Sequence, residues 1–69
     1  MIVIGGIYKH YKGNEYKVID IATHSETLEK MVVYRALYGN EDVWVRPASM
    51  WSEEVDTANG KVLRFEFVR

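Results

Sequence analysis

The sequence predicts an all-β fold on three observations. Gly5-Gly6, Gly13-Asn14, Gly39-Asn40, Pro47 and Asn59-Gly60 punctuate the chain, the runs between them favour Tyr, Val, Ile and Thr, and only two short segments have helical character. A chain of 69 residues cannot fill two full sheets. About five short strands joined by tight loops therefore predict a small antiparallel barrel, whose closure hides the edges. The expected type is an SH3-like barrel with one short helical turn before the last strand, and the OB-fold is the alternative. Residues 1–69 are expected to form a single domain.

The elements follow in chain order. Ile7 to Tyr11 alternates faces and is short enough for an opening strand. Glu15 to His24 is a second strand whose apolar pattern changes phase around Val18-Ile19, which predicts a bulge or strong coiling. Ser25 to Glu29 offers hydroxyls and acidic side chains in cap positions and is read as a structured turn. Lys30 to Tyr38 is the third strand, and Val43 to Arg46 the fourth, ended by Pro47 with its missing donor. Ala48 to Trp51 fits one 3₁₀ or α turn that carries Met50 and Trp51 into the end of the barrel. Val62 to Val68 is the fifth strand, with Leu63, Phe65 and Phe67 on one face.

Composition narrows the chemistry. The formal net charge of −1 gives no general attraction to phosphate or anionic lipid. Zero cysteines exclude a disulfide framework, a Cys-ligated zinc site and a thiol nucleophile. The opening Met1-Ile2-Val3-Ile4 lacks a basic segment and is too short for a signal peptide, and no apolar run is long enough to span a bilayer. The expectation is a cytoplasmic protein with no membrane partner. Size scaling gives a folded surface of ~4,500 Å², so one small core is all the chain can build.

Candidate chemistry is sparse. His10 and His24 lie fourteen residues apart on different expected strands and form no ligand-spaced motif, so no metal is predicted. Glu53-Glu54-x-Asp56 lacks the glycine and spacing of a calcium loop and reads as a solvated face. No Gly-rich loop opens a helix, and no cofactor is expected. The His24-Ser25-Glu26-Thr27 segment sets an imidazole, two hydroxyls and a carboxylate side by side, but adjacent strand residues point to opposite faces, and the same residue types order turns. An enzyme of this size would need a deep cleft, which only a dimer joining His10, His24 and Glu26 would supply.

Lys9, Lys12 and Lys17 interleave with Tyr8, Tyr11 and Tyr16, which suits single-stranded nucleic acid, although the rest of the chain is net acidic and makes this a weaker candidate. Nine aromatic residues, 13% of the chain, exceed what a small core hides. Arg35, Arg46 and Arg64 lie within expected strands. Each either sits on the outer barrel face or pairs with Glu26, Glu29 or Glu66, or else lines a ligand groove. The leading expectation is a non-enzymatic binding module, monomeric or weakly dimeric. It takes a peptide or small polar ligand in an aromatic and Arg-lined groove built from His10, Tyr11, His24, Glu26, Tyr34, Trp44, Arg46 and Arg64. An accessory domain docking onto another protein is the other non-catalytic alternative.

Four segments carry a family resemblance. They are Gly6-x-Tyr8-x-His10-Tyr11-Lys12-Gly13-Asn14-x-Tyr16, then Ala22-x-His24-Ser25-Glu26-Thr27-x-Glu29-x-x-Val32-Val33-Tyr34-x-Ala36-Leu37-Tyr38, then Trp44-Val45-Arg46-Pro47-x-x-Met50, and Arg64-Phe65. From Gly6 to Phe67 the chain resembles a small bacterial family known as domain of unknown function 1653. Trp51 stands where that family generally has Phe, and the approach to the Gly60 turn is longer. The resemblance implies an SH3-like small β-barrel and no established activity. It draws attention to His10, Lys12, His24, Ser25, Glu26, Thr27, Glu29, Tyr34, Arg46 and Arg64, and implies that Arg64 pairs with an acidic residue such as Glu29.

Overall fold

The strands cut out by the turn residues pair in chain order, as short loops require. The computed structural model describes residues 1–69. Strands β1 (Ile7–His10), β2 (Glu15–Thr23), β3 (Lys30–Ala36) and β4 (Val43–Pro47) are followed by a 3₁₀ turn (Ala48–Met50), a hairpin of β5 (Glu54–Thr57) and β6 (Gly60–Leu63), and β7 (Phe65–Phe67). The fold is all-β, with a five-stranded antiparallel sheet in the order β4-β3-β2-β1-β7 and a separate two-stranded sheet, β5-β6.

Two expectations change here. Seven strands form instead of five, and no closed barrel is found: the large sheet ends at β4 on one side and β7 on the other. The cause is the segment between the 3₁₀ turn and β7. Val55↔Val62 and Thr57↔Gly60 pair with each other across a tight turn, so these residues close a hairpin of their own instead of bridging the two edges. The hairpin also splits the expected strand Val62–Val68 at Arg64, whose N–H donates to the Glu53 carbonyl at 2.7 Å while its own carbonyl accepts from Tyr11 N–H at 3.0 Å. Leu63 therefore leaves with the hairpin, and Phe65 and Phe67 stay in the large sheet against His10 and Tyr8. The 3₁₀ turn consequently precedes the hairpin as well as the last strand. The radius of gyration, 12.2 Å, exceeds the ~11 Å of a round domain of this length, consistent with the hairpin's separate sheet.

Other expectations hold. The β2–β3 register shifts between Val18 and Asp20, leaving Ile19 as the extra residue of a bulge. Residues 25–27 form a turn. Trp51, directly after the 3₁₀ turn, is fully buried, whereas Met50 beside it stays exposed, so a single side chain does the plugging.

The register decides which side chains share a face. Directly opposed residues in an antiparallel ladder point the same way, so Tyr8, His10, Tyr16, Val18, Val32, Tyr34, Trp44, Arg46, Phe65 and Phe67 all stand on one side of the sheet. The core is the middle of that face: Tyr8, Val18, Val32, Tyr34 and Phe65, covered by Trp51. Trp51 lies flat on Phe65, with ring centroids 3.9 Å apart and planes 1° from parallel, and meets Tyr34 and Tyr8 edge-on at 4.9 and 5.4 Å. Gly6 lies where the Phe67 ring and the Val3 carbonyl come within 3.0 Å of the position a Cβ would take, so a side chain there would press on both.

Candidate functional site

One end of the aromatic face is left uncovered by Trp51. There Tyr16, Tyr34, Tyr38 and Trp44 line a shallow cavity of about 250 Å³. Strand registers explain the grouping: Tyr34 opposes Trp44 on β4, and Tyr16 opposes Ala36, two residues before Tyr38. Tyr16 meets Tyr34 and Tyr38 edge-on at 5.4 and 5.6 Å, and the Tyr16 and Tyr38 hydroxyls are hydrogen-bonded at 2.8 Å. Burial, then the bond to Tyr38, push the Tyr16 phenol up to about 12, so it is neutral across the physiological range. Trp44 is half exposed, which leaves much of a large ring available for contact.

Phe65 links this cavity to a basic cluster. Its ring lies 5.6 and 5.7 Å from those of Tyr16 and Tyr34, 4.9 Å from His10 and 5.7 Å from the Arg46 guanidinium. Arg64 is its chain neighbour. Lys12 sits over Tyr11 at 5.9 Å, and Tyr11 lies against His10 at 4.6 Å. His10 Nδ1 accepts from the Lys12 backbone N–H at 3.2 Å, which leaves Nε2 to carry the proton of the neutral ring. Burial, and then the positive charges of Arg64, Arg46 and Lys12, hold the His10 imidazolium below its ordinary pKa of 6.5.

That shift has a stability consequence. The unfolded chain takes up the His10 proton more readily than the folded one, so this contribution is intact above pH 6.5 and is lost as pH falls toward the lowered native value. The urea midpoint is expected to drop between pH 7.5 and 5, and His10→Gln to drop less. Equal losses in the two proteins would remove His10 as the cause.

The eight residues singled out from sequence separate into two places. His10, Tyr11, Tyr34, Trp44, Arg46 and Arg64 lie on or beside the aromatic face. His24 and Glu26 lie in the β2–β3 turn, beyond the far end of the nine-residue strand β2, whose opposite end adjoins His10 through the His10 N–H to Asn14 carbonyl bond. His24 Nδ1 accepts from the backbone N–H groups of Glu26 and Thr27 at 3.1 and 3.3 Å, and Thr27 Oγ1 accepts from Glu29 N–H at 3.3 Å. The His24-Ser25-Glu26-Thr27 segment thus orders its own turn, and His10, His24 and Glu26 do not converge within one chain.

The acidic partners also differ from expectation. Arg64 pairs with Glu53 at 3.5 Å rather than with Glu29, because the split at Arg64 holds its backbone to Glu53. Arg35 donates to the Glu41 carbonyl at 3.0 Å. Arg46 has no acidic partner, and the Nε atoms of Arg46 and Arg64 are buried without a hydrogen-bond acceptor.

Lys9 and Lys17 share registers with Glu15 and Ile7 and face away from Tyr8 and Tyr16, so the interleaved lysines and tyrosines do not form one stacking surface. A second cavity of about 390 Å³ lies between β1 and the hairpin, bordered by Lys9, His10, Thr57 and Leu63. No group of three or more His, Cys, Asp or Glu side chains gathers as a metal site, and no helix is long and apolar enough to cross a membrane.

Tyr16, Tyr38 and Phe65 were absent from the expected groove. Tyr38 lies two residues past the end of β3, and only the Tyr16↔Ala36 register brings it to Tyr16. Correct strand alignment was the signal that would have found it.

Comparison with known proteins bears on the whole chain. A family model described as a protein of unknown function, DUF1653, matches residues 6–67. The crystal structure of a DUF1653 protein from Bordetella bronchiseptica is similar at a TM-score of 0.85 and 39% identity, covering 93% of this chain and 85% of that one. No curated protein matches the chain.

Proposed function

The chain belongs to the DUF1653 family, and from that premise we propose that it is a non-enzymatic recognition module that binds a short peptide or small polar ligand on the uncovered end of its aromatic face. The observation that carries this reading is the meeting of four aromatic rings, Tyr16, Tyr34, Tyr38 and Trp44, in one open cavity beside Arg46 and His10. Such rings supply flat contact area at low entropic cost, and Arg and His orient a polar group. The site is shallow and open to water, which suits recognition better than proton transfer in an enclosed pocket. We read the five-stranded sheet, with Trp51 after the 3₁₀ turn packed on its aromatic face, as an SH3-like barrel left open where the hairpin departs. A bacterial setting is supported by the relative from Bordetella.

Titration of ¹⁵N-labelled protein with a library of short peptides and polar fragments tests the proposal. Saturable shift changes are expected at Trp44, Tyr34, Tyr38, Tyr16, Arg46 and His10. Changes scattered over the surface, or none across a broad library, would overturn it.

A further inference from the structure

The basic cluster beside the cavity holds three cations, Arg46, Arg64 and Lys12, against one acidic partner, Glu53. Arg46 is only partly exposed, makes no ion pair, and keeps its Nε buried without an acceptor. Arg64 has a second unsatisfied Nε, and its contact with Glu53 at 3.5 Å is too long for a strong charge-assisted hydrogen bond. Lys12 adds a third positive charge over Tyr11. The Nε atoms are out of reach of solvent, but neither arginine is fully buried, so each keeps a positive charge within reach of a ligand. A bound anion pairs with that charge, and the aromatic cavity beginning next to Phe65 supplies the apolar contact that small anions alone would lack.

Building on the proposed recognition role, we infer that the ligand of this face carries an oxyanion, a carboxylate or a phosphate, held by Arg46, Arg64 and Lys12, with a flat apolar body lying in the Tyr16–Trp44 cavity. Arg46 is the central contact, because it stands on the aromatic face two residues after Trp44 on the same strand and against Phe65. Arg64 completes the cationic side from the break between β6 and β7. His10 lies among these charges, beside the phenols of Tyr11 and Tyr16, and shares the cavity between β1 and the hairpin with Lys9 and Glu66. A bound anion therefore makes its protonation easier, and protonated His10 in turn strengthens anion binding.

The test compares benzoate and phenyl phosphate with benzyl alcohol, which has a similar ring and no charge, by NMR titration at low salt. Both anions are expected to bind about tenfold more tightly than benzyl alcohol, to weaken as salt rises, and to raise the His10 pKa. The tighter of the two anions shows whether the natural group is carboxylate-like or phosphate-like. Arg46→Gln should remove the advantage of the anions over benzyl alcohol, and the unchanged dispersion of its ¹⁵N spectrum reports that the fold is intact. Lys12→Gln, at an exposed position, gives a smaller loss of the same sign and stands in if Arg46→Gln does not fold. Equal affinity for charged and neutral rings would overturn the oxyanion assignment and leave the recognition face standing. Failure of all three compounds to shift Trp44 or Tyr16 would overturn both.

Discussion

Trp51→Ala is expected to unfold the protein at or near room temperature. Trp51 is fully buried, covers the centre of the aromatic face and touches Tyr8, Tyr34 and Phe65 at once. Truncating a buried Trp to Ala costs about 3–5 kcal/mol, and a domain of 69 residues has only about 3–10 kcal/mol in total at ordinary stability per residue. Outside the sheet only Ile2 and Ala48 pack against this core beside Trp51, and both are partly exposed, while the hairpin contributes no residue to it. Trp51→Phe is the informative companion. It keeps the ring stack on Phe65 and removes an indole N–H that is buried without an acceptor, so the lost volume and the relieved polar group largely cancel, with a net change within about 1.5 kcal/mol. Thermal unfolding followed by near-ultraviolet circular dichroism would compare the two. A stable, cooperative Trp51→Ala protein would show that the sheet holds together without this plug.

Trp44→Ala is expected to remove most binding and little stability. Its ring is half exposed, lines the open cavity and is absent from the core cluster. Anchor aromatics at recognition surfaces commonly contribute 2 kcal/mol or more, about thirtyfold in affinity, whereas an exposed ring on an edge strand contributes little to folding. The measurement is the dissociation constant of the tightest peptide or fragment from the titration library, alongside the urea midpoint. Unchanged affinity with an unchanged midpoint would place the binding surface elsewhere. A large fall in the midpoint would instead make Trp44 part of the core.

The legible and illegible parts of this fold divide along local and non-local lines. The bulge at Val18-Ile19 was readable because a change in apolar phase is a local pattern with one cheap backbone solution. The 3₁₀ turn after Pro47 and the turn at residues 25–27 were readable for the same reason, since proline and small polar side chains dictate nearby backbone geometry. The run Val62–Val68 misled because its alternation is uninterrupted, while the break at Arg64 comes from Glu53, eleven positions earlier, accepting its N–H. Nothing in the seven residues themselves records that competition.

The candidate site divides the same way. Individual residue types already marked Tyr34, Trp44, Arg46 and His10 as groove candidates, and the register then set them on one face, with Tyr34 serving the core as well. His24 and Glu26 carried equally suggestive chemistry, yet a strand's length separates them from the others. Tyr38 and Phe65 join the site only through pairing partners far away in sequence.

The sequence by itself determined the β class, the turn positions, the bulge and the surplus of aromatic and cationic side chains, because each depends on a few neighbouring residues. Tertiary structure alone decided that the sheet stays open, that Trp51 covers one part of its face and not the other, and that Arg46 faces the aromatic cavity without a carboxylate. Those outcomes depend on which distant strands pair and where one hairpin leaves the sheet, a competition among long-range contacts that no local pattern encodes.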